Sequence, residues 1–261
     1  MTKSIILLIK NILKKFNLKL NKWDYVNKLE KNEDEVNKLR LIVQLPKENL
    51  SSLIQNFNYS HAQFGQDLFV LSELGFKKNG YFVEFGATDG VEKNNTHILE
   101  KKFNWEGILA EPAKIWQKKL NENRKCHIDD NCVWLKSNAT LVFNEVSEPE
   151  LSTIESFSSM DGHFHVRRKG VKYNVNSISL NDLLKKYNAP KNIDYLSIDT
   201  EGSEFEILNN FDFSFYDIKI ITCEHNFEKN REKVHQLLKK NGYIKKMKEF
   251  SKFDDWYIKA F

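Results

Sequence analysis

From Tyr59 to the C-terminus, short apolar runs alternate with amphipathic stretches, and that alternation leaves few folds open. Strands are expected at Gly80–Ala87, Gly107–Glu111, Cys132–Leu135, Thr140–Asn144, Ile193–Ile198 and Ile218–Cys223. Helices are expected over Asn95–Phe103, Ala113–Glu122, Leu180–Tyr187, Ser203–Asn210 and Lys229–Asn241. Strands separated by helices build a mostly parallel α/β sheet with helices on both faces. The tail breaks the pattern: Tyr243–Glu249 and Asp254–Ala260 read as two strands with no helix between them. Such a hairpin sets one strand antiparallel at the end of the sheet.

The first 58 residues read as a helical extension ahead of a domain at 59–261. Residues 3–20 place Ile5, Leu8, Ile9, Ile12, Leu13, Phe16 and Leu20 at helical spacing, with Lys3, Lys10, Lys14 and Lys19 mostly off that stripe. The run is too short to span a bilayer and no small-residue cleavage site follows it. It suits either an anionic membrane surface or a packing face on the domain or a second copy of the chain. An apolar fraction of 41%, with 19 Phe, 9 Tyr and 5 Trp, supplies a core and excludes wholesale disorder. A mean hydropathy of −0.56 excludes a polytopic membrane protein. Net charge is only +4 and spread along the chain, which argues against a dedicated nucleic-acid binder. Cys126, Cys132 and Cys223 form no CxxC pair, so a reducing, cytoplasmic setting is expected.

The sharpest motif is Glu84-Phe85-Gly86-Ala87-Thr88-Asp89-Gly90 at the end of the first strand. Ligands of open α/β sheets sit beyond the carboxyl ends of the strands, and a glycine at such a tip lets backbone approach the ligand. The run has neither the GxGxxG spacing of a pyrophosphate cradle nor a phosphate-loop GxxxxGK[ST]. Glu84 suits a ligand with a cationic amine, such as the methionine part of S-adenosylmethionine; a tight turn without a ligand is the alternative. The second strand ends in Glu111, a carboxylate placed to accept both hydroxyls of a ribose. Asp130 and Asn131 sit after the third strand, suited either to an adenine edge or to a solvated turn. The terminal hairpin matches the seven-stranded methyltransferase sheet, whereas a dehydrogenase-type fold would continue with a helix.

A second group of polar residues falls at the tips of neighbouring strands: Asp199 and Glu201 after one, Glu224 and His225 after the next. His225 is a candidate general base for a hydroxyl acceptor. Asp199, Glu201 and Glu224 together offer hard oxygen ligands for magnesium or manganese. Ser203 is placed as an N-cap of the following helix. Between these strands, Ser152–Asn176 reads as a polar loop over the site, with His163 and His165 as reserve bases. Arg167 and Arg168 in that loop suit either an acceptor phosphate or solvent.

Ser60–Asp67, Glu84–Gly90, Asn94-Asn95-Thr96, Trp105–Pro112, Ile193–Glu204, Glu224-His225-Asn226 and Asp254–Tyr257 together resemble the FkbM family of methyltransferases. The resemblance spans residues 59–261. It implies a class I S-adenosylmethionine fold, with Gln63, Gln66 and Asp67 closing the cofactor cavity and Asp89 and Gly90 in its loop. It also implies methylation of a hydroxyl on a sugar, glycan or related natural product. Two other readings stay open: a non-catalytic scaffold of a glycan-assembly complex, and a small-molecule methyltransferase of secondary metabolism.

Overall fold

The computed structural model describes residues 23–159, 163–227 and 229–260. The basic stretch at residues 3–20 lies outside them. Helix α1 (Trp23–Gln44) runs across the point, between Arg40 and Leu41, where the chain divides into two units. The compact unit therefore starts well before residue 59. The reason is packing: Leu41 and Ile42 of α1, Leu45 just after it and Leu53 of α2 (Leu50–Asn56) are buried in one cluster with Leu68 and Phe69 of α3 (Gln66–Glu73).

The main sheet is built from β1 (Tyr81–Phe85), β2 (Glu106–Ala110) and β3 (His127–Asp129), with α4 (His97–Phe103) and α5 (Lys114–Asn123) as crossovers. Its second half holds β8 (Asn192–Ile198), α8 (Glu204–Asn209), β9 (Asp217–Glu224), α9 (Arg231–Lys240), β10 (Tyr243–Lys246) and β11 (Asp254–Lys259). The strand order is β3-β2-β1-β8-β9-β11-β10, with β11 antiparallel to both of its neighbours and the other pairs parallel. The order reverses between β1 and β8, so the tips of β1 and β8 open a crevice there.

Alternate residues of each central strand bury on opposite faces, as a two-residue period requires. Val83, Phe85, Leu196, Ile198 and Ile221 enter one core layer with α7 (Leu180–Lys186), while Phe82, Tyr195, Ile220 and Trp256 enter the other with α3 and α4. Fully buried Trp256 packs its ring 5.0 Å from Phe69, fastening the antiparallel edge to α3.

The segment between β3 and β8 departs from the sequence reading. The strands β4 (Cys132–Trp134) and β5 (Thr140–Glu145) do not extend the parallel sheet. They form a separate four-stranded sheet, ordered β4-β7-β5-β6, with β6 (Thr153–Ile154) and β7 (Val171–Ser179). The two ends of the stretch expected as a polar loop, Ser152–Asn176, are thus strand, with the short helix α6 (Phe164–Arg167) between them. The small core of Ala113, Cys132, Phe143, Ile154, Phe157 and Val175 holds this sheet over the strand tips.

Candidate active site

Beyond β1 the chain turns at Gly86, whose φ is +72°. Its amide donates to the Ala110 carbonyl of β2 at 3.1 Å, and a Cβ there would lie 2.0 Å from the Asp199 carbonyl of β8. The loop therefore passes flush across three strand tips, a course open only to glycine. Asp89 closes the next turn by accepting from the Val91 and Glu92 amides, both at 2.9 Å. Gly90 packs on Leu120 and Arg124, away from the cavity.

Glu84 is not turned toward a ligand, contrary to the sequence reading. It is buried beneath the loop, accepting from the Asn95 amide at 2.8 Å and the Thr96 hydroxyl at 2.5 Å. Burial raises its pKa, and Arg124 and these hydrogen bonds pull it back. Arg124 in turn donates to Thr96 and Asn94, so one buried carboxylate and one buried guanidinium set the loop's shape.

A cavity of about 430 Å³ opens over these tips, lined by Gln63, Gly86, Asp89, Glu111, Asp199 and Glu224 among others. Glu111 stands at the β2 tip, its two oxygens accepting from the Thr88 amide (2.9 Å) and the Ala113 amide (2.8 Å). Burial pushes its pKa up to about 7 despite those bonds. Cys132, Val133 and Phe143 of the small sheet, with Trp116, give the cavity an apolar wall. Neither Asp130 nor Asn131 joins it: Asp130 is exposed, and Asn131 donates twice to Asp129, at 2.9 and 2.7 Å. Asp129 itself is salt-bridged to Lys186 at 2.7 Å. The third tip thus contributes apolar surface, not a polar edge.

At the reaction end, carboxylate oxygens of Asp199, Glu201 and Glu224 lie within 4.8 Å of one another. Burial raises Asp199 to about 6 and drives Glu224 well above the usual carboxylate range, with Asp199 and Glu201 adding repulsion. Asp254 faces them because the β9–β11 register sets it opposite Glu224. Burial raises Asp254 to about 7 while Gln66 Nε2 donates to it at 2.6 Å. Asp67 stays outside the cavity, accepting from the Ser60 hydroxyl at 2.7 Å.

The turn after β8 is held from two sides. Glu204, not Ser203, caps it, accepting from the Thr200 amide at 2.9 Å and the Gly202 amide at 3.2 Å. The Ser203 hydroxyl instead donates to Thr200. Glu201 has φ +58°, and its carboxylate receives Arg167 at 2.8 Å and Asn226 Nδ2 at 3.1 Å. Arg167, expected as a partner for an acceptor phosphate, is fully buried and also donates to the Leu151 carbonyl at 2.8 Å. It serves the fold of the site instead. Arg168 and His165 are exposed, and His163 lines the cavity.

His225 is the main departure. The two-residue period that points Glu224 into the cavity points His225 away from it. Its Nδ1 accepts the Phe227 amide at 3.0 Å and its Nε2 lies 3.4 Å from Asp255 Oδ1. The group expected as the base is not among the cavity lining. Asp254 and Asn226, present in the motif stretches but given no site role, line it, as does Trp116. Asp254 was within reach, since an antiparallel last strand must start where its neighbour ends.

The lining fits S-adenosylmethionine. The Cβ-free turn at Gly86, the Glu111 carboxylate for a ribose diol and the apolar wall match its parts, and the volume suits a ligand of that size. The strand order and this arrangement of tips define a class I S-adenosylmethionine-dependent methyltransferase. More narrowly, the chain belongs to the FkbM methyltransferase family, since the model of the methyltransferase FkbM domain matches residues 84–245, over half of its length. No curated protein sequence matches it. Among solved structures, it is similar to precorrin-6y C5,15-methyltransferase from Geobacter metallireducens, at 12% identity over 74% of this chain and 85% of that one, TM-score 0.39. It is also similar to the CurJ carbon methyltransferase, at 11% identity over 92% of this chain and 71% of that one, TM-score 0.38.

Proposed function

We propose that this FkbM methyltransferase transfers a methyl group to a hydroxyl oxygen of a sugar or glycan. The observation carrying the reading is the placement of Asp199 and Glu224 in the same cavity as Gly86 and Glu111. Bound S-adenosylmethionine supplies a methyl group already attached to a good leaving group. The residues of the chain need only align the acceptor and take its proton. Asp199, raised to about 6, is ionised at neutral pH yet more basic than an ordinary carboxylate, which suits it to accept a hydroxyl proton. Glu224, pushed well above the usual carboxylate range by burial and by neighbouring Asp199 and Glu201, hydrogen-bonds to Asp199. Glu201, Asn226 and Gln63 add polar groups for a polyhydroxylated acceptor.

The test is transfer of labelled methyl from S-adenosylmethionine to a panel of hexopyranosides and nucleoside-diphosphate hexoses. Labelled ether product supports the reading. Transfer to amines or carbon acids alone overturns it.

Glu111 gives the cofactor step a pH dependence. Its ionised form is the one that accepts two ribose hydroxyls. A pKa near 7 means that this form is lost as pH falls through 7. Affinity for S-adenosylmethionine is therefore expected to weaken by about tenfold per unit below pH 7 and to level off above it. Calorimetry across pH checks this, and Glu111→Gln should bind more weakly and lose the slope.

A second reading is favoured by the 4.8 Å grouping of Asp199, Glu201 and Glu224, which suits a magnesium or manganese ion that would acidify the hydroxyl. Under it, millimolar manganese raises both turnover and wild-type melting temperature, and chelation removes both gains.

No helix among the described residues is long and apolar enough to cross a membrane. For residues 3–20 we keep the proposal of a basic amphipathic contact with an anionic membrane at its cytoplasmic face. Sedimentation with anionic vesicles tests it, since loss of residues 1–20 should abolish binding.

A further inference from the structure

His225 and Phe227 are left unexplained by the chemistry above, yet the chain fixes them with some force. Asn226 and Phe227 both have positive φ, +38° and +58°, which is uncommon for one such residue and costly for an aromatic. Three contacts maintain the strained turn. The His225 and Asn226 amides donate to the Phe253 carbonyl at 2.8 and 3.3 Å. The His225 Nδ1 accepts the Phe227 amide at 3.0 Å. Behind the imidazole, buried Asp255 faces Nε2 at 3.4 Å and is itself held by Arg231 at 2.8 Å and by Lys245.

The product of this strain is an exposed aromatic. Phe227 is 66% exposed, and its ring meets Phe253 at 5.7 Å in an edge-on pair. Phe253 meets Phe64 at 5.8 Å, and both Phe253 and Phe64 line the reaction cavity. A ring held in solvent by a buried His–Asp pair contributes nothing to a core, and an apolar patch at a cavity rim marks a contact surface. The next residue inward, Asn226, lines the cavity and bonds Glu201.

We propose that Phe227, with Phe253, is the acceptor platform, stacking on the apolar C–H face of a pyranose ring while the carboxylates within the cavity take its hydroxyls. His225 is the positioning residue that sets the platform. This inference rests on the reading of a sugar acceptor. It adds the residue that selects a ring with an apolar face over an open-chain polyol, which presents hydroxyls without such a face.

The test is ligand-observed NMR on the full chain with S-adenosylhomocysteine present, titrating methyl hexopyranosides and, in parallel, sorbitol. Phe227→Ala is expected to weaken pyranoside binding about tenfold and leave sorbitol unchanged, while Phe227→Trp retains it. His225→Ala should reproduce the pyranoside loss, and the double variant should be no worse than either single one, because both act through one ring. His225→Gln, whose side-chain carbonyl can accept the Phe227 amide, should restore part of it. A merely structural role for His225 would instead lower stability without separating pyranoside from sorbitol. Pyranoside binding untouched by Phe227→Ala overturns the platform alone. No pyranoside binding to the wild-type protein, with the cofactor product bound, overturns the sugar reading and the platform with it.

Discussion

Gly86→Ala is expected to abolish methyl transfer through loss of the cofactor cradle. Two costs coincide at this position. The residue must hold φ +72°, which costs an alanine on the order of 1 kcal/mol, and its Cβ would meet the Asp199 carbonyl at 2.0 Å. That oxygen is backbone, so the clash is relieved only if the β1 loop or the β8 tip moves, at a further 1–3 kcal/mol or so. Either movement displaces Asp199, Glu111 or both relative to the cavity. Calorimetry should show S-adenosylmethionine affinity reduced about a hundredfold. Gly75→Ala is the control, since Gly75 has φ +58° but no atom within 4 Å of an added Cβ. It should lose about 1 kcal/mol of stability and bind cofactor normally. If both variants bind alike, the close passage at Gly86 is not what shapes the site.

Asp199→Asn is expected to lose turnover and gain stability. The wild-type site gathers three carboxylates within 4.8 Å, with Glu201 buried, an arrangement whose like-charge repulsion opposes folding. The sign follows from the raised pKa: ionised Asp199 is disfavoured in the folded state, so the fold gains as pH drops through about 6 and pays above it. An asparagine carries no charge and can still hydrogen-bond to Glu224. At pH 8 the variant should therefore melt a few degrees above wild type, with the gap narrowing as pH falls below about 6 and closing near pH 4. Turnover should fall by about a thousandfold or more, the loss of a positioned base. A melting temperature lower than wild type in manganese but not in chelator would favour the cation reading instead. Wild-type turnover in this variant would remove Asp199 from the chemistry.

Strand and helix positions were legible because each central strand is a short apolar run closed by a polar tip. Gly107–Glu111 was expected where Glu106–Ala110 forms, and Leu180–Tyr187 where Leu180–Lys186 forms. The antiparallel end was legible for the same reason. The small sheet was not, because Val171–Ser179 is buried mainly toward its end and its first half reads as polar chain. The alternation of Val171, Tyr173 and Val175 with Lys172, Asn174 and Asn176 was the available signal. In the site, motif positions were legible and side-chain directions less so. Glu111 and Glu224 reach the cavity, whereas Glu84 and His225 turn elsewhere, although all four stand at strand ends. Parity along the strand separates Glu224 from His225. Nothing in the local sequence says that Glu84 is claimed by the Asn95 amide, a partner supplied only by the folded loop.

The small sheet enters the chain between β3 and β8, after the cofactor-holding tips are complete and before the reacting ones begin. A different cassette there would alter which acceptors fit, provided it also brought an apolar wall for the cofactor, as Cys132, Val133 and Phe143 do. Bonds across the boundary limit the exchange: Thr153 Oγ1 donates to the Thr200 and Glu201 carbonyls at 3.2 and 3.0 Å, and an ion pair adds to them. Arg167 belongs to the cassette but neutralises Glu201, which belongs to the framework. A transplanted cassette must bring its own cation to that address, or the framework must surrender its glutamate in the same step. Natural diversification of acceptor range in this lineage should leave that pair changing together.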